Sequence, residues 1–213
     1  MRPQRVHSSS TLRIEAEAFP EYFALSLDQY HQMIGAGILT DEDKVELLEG
    51  HLHQKMPKNP PHASVVSRTQ PEVRQVISDQ NGRQSVEEYL VRVEQPITLS
   101  DSEPEPDISV IRGGVRDFDK RHPGPAEVEM VIEVADASLA RDRTTKLRVY
   151  AKAQIAVYVI LILETKSAEV YTNPTVVKGV ATYGKKTLLS PRQSLPVILS
   201  GKKIGSVKLS KLF

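Results

Sequence analysis

Two acids stand alone in short runs rich in β-branched residues: Asp107 in Pro106-Asp107-Ile108-Ser109-Val110 and Glu133 in Val131-Ile132-Glu133-Val134-Ala135. A carboxylate adds nothing to packing in such a run and must be paired or hold a metal. Side chains two apart on a strand share a face. Asp107, Ser109 and Ile111 therefore point one way, and Ile108 and Val110 the other. In the second run Val128, Met130, Ile132 and Val134 predict an unbroken apolar face, which leaves Glu129, Val131, Glu133 and Ala135 on the opposite one. On neighbouring strands the two acids would converge on a hard divalent cation, which takes oxygen ligands, keeps several waters and binds phosphate oxygens. The alternative is that both are strand-end charges reaching solvent.

A lysine comes next. Arg141 to Ala153 predicts a helix with Asp142 as its N-cap. At about 100° per residue, Leu147, Val149, Tyr150, Ala151 and Ala153 form one broad apolar face with Arg148 and Lys152 opposite. Lys146 falls near the middle of that face. An inward lysine just after a metal-type strand could touch a bound phosphate or polarise an attacking water. As an ordinary side chain it would snorkel outward or pair with an acid.

Further segments fall in order around these: Glu49-Gly50, Pro57, His62, Ser102-Glu103-Pro104-Glu105-Pro106-Asp107, Arg121-His122-Pro123, Ser138-Leu139-Ala140, Asp142-Arg143 and Tyr150-Ala151. Together the chain from Leu25 to its C-terminus resembles the PD-(D/E)XK nuclease superfamily, in particular the Uma-two family of restriction-endonuclease-like proteins. The resemblance implies Asp107 and Glu133 as metal ligands, with the carbonyl of Val134 as a third. In the superfamily pattern the lysine sits two residues after the glutamate; here that position is Ala135, and Lys146 looks like the relocated lysine. His62 resembles the histidine or acid that some members place on the first core helix, and its plain reading is local capping in Pro60-Pro61-His62-Ala63-Ser64. Glu49 is either a site acid of the family type or a hairpin-end residue. One stretch departs from the family, which usually carries a glycine, a proline and an acid–aromatic pair where this chain has Gln154 to Leu161. That departure touches turn geometry and oligomerisation more than chemistry.

Composition narrows the chemistry. With no cysteine there is no disulfide, thiolate zinc site or cysteine nucleophile, so oxygen and imidazole are the available ligands and magnesium or manganese the expected metal. Twenty-eight basic against 27 acidic residues leave a net charge of +1, with no global footprint for nucleic acid. DNA binding would need a local basic rim, for which Arg112, Arg116, Lys120, Arg121, Arg141 and Arg143 are available, Arg121 and Arg143 being the leading substrate-binding candidates. The same residues would serve equally as solvated loop charges. The longest apolar run, Ile155 to Leu163, is far shorter than a membrane span. Met1 to Ser10 has two arginines and no apolar core, unlike a signal peptide. A cytoplasmic protein without a membrane partner is expected.

The elements that must position the site emerge from pattern. Residues 1–20 predict a flexible arm and residues 21–213 a single domain. A helix opens at Leu25 to Tyr30, with Ser26 and Gln29 at capping-box spacing. Lys44 to Glu49 and His51 to Met56 predict a hairpin, and Pro61 to Ser78 a helix that Pro71 should kink or divide. Val86 to Leu99 reads as one long strand with Tyr89, Val91 and Val93 on one face. Residues 112–127 form a long loop, Val157 to Leu163 and Ala168 to Thr172 are strands, and Tyr183 to Phe213 gives short strands and a final helical turn. This order fits an α+β, α/β-like domain with a mixed central sheet flanked by helices, the restriction-endonuclease-like core. The expected activity is magnesium-dependent hydrolysis of DNA phosphodiesters by a homodimer, Ile155 to Leu163 and the tail being its candidate surfaces. The competing expectation is a non-catalytic binding or assembly module on the same scaffold.

Overall fold

The structure is a computed structural model that describes residues 22–81 and 89–213. The expected N-terminal arm, residues 1–20, and the start of the expected long strand, Val86 to Glu88, lie outside the described residues.

Helix α1 (Leu27–Gly35) starts as its sequence dictates: the Ser26 side chain accepts from Gln29 N–H while the Gln29 side chain takes the Ser26 N–H. A short antiparallel hairpin, β1 (Val45–Leu48) and β2 (His51–Gln54), turns at Glu49-Gly50. The long helix α2 (Pro60–Asn81) comes after it. The main sheet has six strands in chain order: β3 (Tyr89–Val93), β4 (Ile108–Arg112), β5 (Val128–Ala135), β6 (Val157–Ile162), β7 (Ser167–Val177) and β8 (Val180–Leu189). Only β5 and β6 run parallel. Their connection carries α3 (Leu139–Arg141), a π-helical turn over Asp142–Lys146, and α4 (Leu147–Lys152). A second hairpin, β9 (Ser194–Leu199) with β10 (Lys202–Lys208), ends the chain with the helical turn Leu209–Lys211.

Alternation splits the sheet into two apolar faces. Ile108, Val110, Met130, Ile132 and Val134 pack against Val65, Val66, Val73 and Ile77 of α2 and against the β9–β10 hairpin. Ile111, Val131, Ala135, Tyr158 and Ile160 pack against Val149, Tyr150 and Ala151 of α4. The result is the expected α+β arrangement, a mixed sheet with helices on both faces.

Several expectations are corrected. Helix α2 continues through Pro71; Pro71 and Ser67, whose carbonyl the proline leaves without a donor, are both exposed, so water can take the lost rung. The strand expected to Leu99 stops at Val93 because Glu94 turns to φ +52°. Val128 lies on the opposite face from Met130, because the β4–β5 register skips Glu129 and this bulge inverts the phase upstream of it. Asp142 is no N-cap: the helix begins at Leu139, three residues earlier, and Asp142 is buried within it. The apolar run Ile155 to Leu163 supplies β6, an inner strand buried at every position, so it is no dimer surface. Finally, β7 and β8 form one long hairpin through Lys178-Gly179, both at positive φ as a two-residue turn demands.

Candidate active site

Strand pairing brings the two acids together. Ile108 of β4 faces Ile132 of β5, so the next step along the antiparallel pair sets Asp107 beside Glu133. The Val134 N–H donates to Asp107 Oδ2 at 2.7 Å, and the Asp107 N–H lies 3.4 Å from Glu133 Oε2. His62, on the first turn of α2, places Nε2 3.1 Å from the same Asp107 oxygen. The helix on the opposite face of the sheet delivers the rest. Lys146 Nζ lies 2.9 Å from Glu133 Oε1 and 3.6 Å from Glu46 Oε2. Tyr150 Oη donates to Glu133 Oε1 at 2.7 Å. Asp142 accepts from Ser138 Oγ at 2.6 Å, and its backbone carbonyl accepts from Tyr158 Oη. Glu46, Asp107, Glu133, Asp142 and Lys146 are all buried, on the floor of a cavity of about 100 Å³.

Burial pushes the Glu133 carboxyl up to about 8, and the Lys146 ammonium pulls it back only in part. Burial works on Asp107 in the same direction but is outweighed by the hydrogen bond and charge of His62 and by the Val134 amide, so its carboxyl falls below the usual range. Burial would lower Lys146; Glu133, Glu46 and Asp142 more than offset it and hold the ammonium above its ordinary value. Lys146 is therefore a fixed cation among acids and does not snorkel.

The donor set suits a magnesium-like ion. Val134 directs its N–H to Asp107, whereas the next carbonyl, Ala135, accepts from Leu163 on the far side of the strand. A strand residue's N–H and C=O share a side, so the Val134 carbonyl faces the Asp107 side. Among the described residues no set of three or more His, Asp or Glu side chains is grouped to hold a metal. Two carboxylates, a carbonyl and waters remain, the sparse protein ligation that magnesium accepts.

The remaining expected site residues go elsewhere. Glu49 occupies the β1–β2 turn at φ +50° and is held by Arg148 in a two-pronged pair at 3.0 and 2.6 Å, outside the cavity. Arg121 forks onto Glu127 at 3.0 and 2.6 Å and lies over the Phe118 ring. Arg143 forks onto Glu169 at 3.1 and 2.7 Å. Neither arginine lines the cavity, but Arg141 does, anchored on the Gln54 carbonyl. Sequence reasoning missed Glu46 and Tyr150 as polar members of the site. Glu46 carries the same signal as Asp107, a single acid in the apolar strand Val45-Glu46-Leu47-Leu48.

Residues 27–200 match the sequence profile of Uma2, described as "putative restriction endonuclease". The chain belongs to the Uma2 family. No curated protein matches it. The fold is shared with the crystal structure of "a putative nuclease belonging to DUF820" from Anabaena variabilis ATCC 29413, at a TM-score of 0.65 and 17% identity, over 89% of this chain and 97% of that one. Membership of the Uma2 family supports a nuclease-like function. No described helix is long and apolar enough to cross a membrane.

Proposed function

We propose that this Uma2 protein is a divalent-metal-dependent endonuclease that hydrolyses DNA phosphodiesters, with magnesium or manganese held by Asp107, Glu133 and the Val134 carbonyl. The observation that carries this reading is the placement of Asp107, just ahead of β4, beside Glu133 within β5, with Lys146 seated on Glu133. The ion would supply Lewis acidity and a water of lowered pKa. The chain's own groups do the positioning. His62 and the Val134 amide both hold Asp107 Oδ2, which leaves Oδ1 to face the cavity. Lys146 and Tyr150 hold Glu133 Oε1, which leaves Oε2 toward Asp107. Lys146 adds a fixed positive charge beside the place where a phosphorane would gather negative charge.

Manganese calorimetry and plasmid nicking test this together. Wild type should bind the ion and nick DNA, and Glu133→Ala should lose both; equal ion binding by the two proteins removes the metal site. Cutting both strands of a duplex calls for two active sites, hence a homodimer. A monomeric mass by light scattering at micromolar concentration would count against that.

A second reading, a nuclease fold kept as a binding or assembly module, is favoured by one observation. Lys146 already pairs with Glu133 at 2.9 Å and lies 3.6 Å from Glu46, so a carboxylate that the metal would need is engaged by a protein cation. It becomes the better one if wild type cuts no DNA with either metal.

A further inference from the structure

An ion pair at the cavity mouth has no part in the chemistry above. Lys58, on the connection between β2 and α2, places Nζ 2.8 Å from Glu94 Oε2 and 4.0 Å from Asp107 Oδ1. Glu94 ends β3 and holds φ +52°, a left-handed conformation strained for any residue with a Cβ. Both side chains are 39% exposed, so a solute reaches them directly. Of the other cations near the acids, Lys146 lies buried between Glu133 and Glu46, Lys55 is tied to Glu105 at 2.8 Å, and Arg141 gives Nη1 to the Gln54 carbonyl while its buried Nε has no partner among the described residues. Helix α2 offers little to an anion in its first turn. Pro60 and Pro61 have no N–H, and those of His62 and Ala63 are taken by the Asn59 side chain and carbonyl.

We propose that Lys58 is the phosphate-binding residue for a polynucleotide backbone entering this cavity, and that Glu94 stands in for the phosphate in its absence. The assignment rests on the nuclease reading for its ligand class. A carboxylate and a phosphodiester are both anionic acceptors that an ammonium meets at the same short distance. The Glu94 carboxylate sits where an incoming phosphate oxygen would pair with Lys58, whose ammonium is 4.0 Å from the Asp107 oxygen. Substrate exchanges one anion for the other, and Glu94 swings to solvent. The two members of the pair therefore act in opposite directions: Lys58 favours the backbone, and Glu94 competes with it.

The test is fluorescence anisotropy of a fluorescein-labelled duplex, and of one of its strands alone, with the full chain in magnesium at several salt concentrations. Lys58→Ala should weaken binding by about tenfold and reduce the salt slope by about one counterion. Lys58→Arg should keep both, and Glu94→Gln should tighten binding severalfold. If the pair only fastens the end of β3 to the neighbouring connection, Lys58→Ala and Glu94→Gln lower the melting temperature alike and leave affinity and slope alone. That result overturns the assignment, as does wild type that binds neither oligonucleotide. Cleavage assayed on the same samples separates the two ideas. Cutting with unchanged binding by Lys58→Ala removes only the role of Lys58, whereas Lys58-dependent binding without cutting removes only the nuclease reading.

Discussion

Tyr150 donates its phenol hydrogen to the Glu133 oxygen that Lys146 also holds, at 2.7 and 2.9 Å. The two donors are four residues apart on one helix, the spacing that puts side chains on one face. A single helical face thus pins one oxygen of a strand carboxylate and leaves the other toward Asp107.

Replacing Tyr150 with Phe keeps the ring against Tyr158, 4.9 Å away between centroids, and removes only the donor. Lys146 still serves the oxygen, so the stability loss in urea should be about 1 kcal/mol. Manganese affinity should fall severalfold as Glu133 loses its fixed orientation. Unchanged affinity would separate Tyr150 from the site.

Lys146→Met keeps most of the buried stem and deletes the charge. Glu133 and Glu46 then share a floor without their cation, and breaking a buried pair in this way costs about 3–5 kcal/mol. The melting temperature should drop, and magnesium-dependent nicking should fall on the order of 100-fold or more under conditions where the variant is folded. A variant that cuts as well as wild type would leave Lys146 with a structural role alone.

Glu169 gives the acid limb of stability. Burial would raise its carboxyl, but hydrogen bonds from Arg143, Lys186 and Tyr171 outweigh this and bring it down to about 2. A depressed folded value means stability that is present above the ordinary carboxylate range and is lost as pH falls toward 2. Denaturation of wild type at pH 6 and pH 3 should show this loss. Glu169→Gln should be weaker at pH 6 and show a flatter dependence between the two.

Gly205 sits at the irregular step of the β9–β10 pairing, and a Cβ there would meet Val76 Cγ1 of α2 at 2.5 Å. Gly205→Ala should cost about 1–3 kcal/mol by overpacking. Val76→Ala in the same chain should recover part of it, so a double-mutant cycle should give clear coupling between the two positions.

The main acids and the lysine were legible because each violates a local pattern: a charge in a β-branched run, or a cation on an apolar helical face. Glu46 broke the pattern in the same way, but its strand is short and belongs to a separate hairpin, and the adjoining Glu49-Gly50 drew attention to the turn. The fate of Arg143 and Glu49 depended on partners that only the folded chain brings near, Glu169 being 26 residues from Arg143 and Arg148 99 from Glu49, whereas the partner of Arg121, Glu127, lies six residues away and was within reach of a local reading. Pro174 inside β7 hid the long hairpin, although Lys178-Gly179 was a readable turn signal. The bulge at Glu129 left no mark in the alternation, which is why Val128 was assigned to the wrong face.

The π-helical turn gives the lysine its own setting, separate from that of the acids. The sheet spaces Asp107 and Glu133 by hydrogen-bond register, whereas Lys146 is aimed by the winding of a helix that carries an extra residue between Asp142 and Lys146. Deleting one residue in that turn would rotate the downstream helix by about 100° without disturbing the strands. Two independent adjustments therefore meet at one carboxylate, and a lineage could retune or disable the cation while inheriting the acid pair intact.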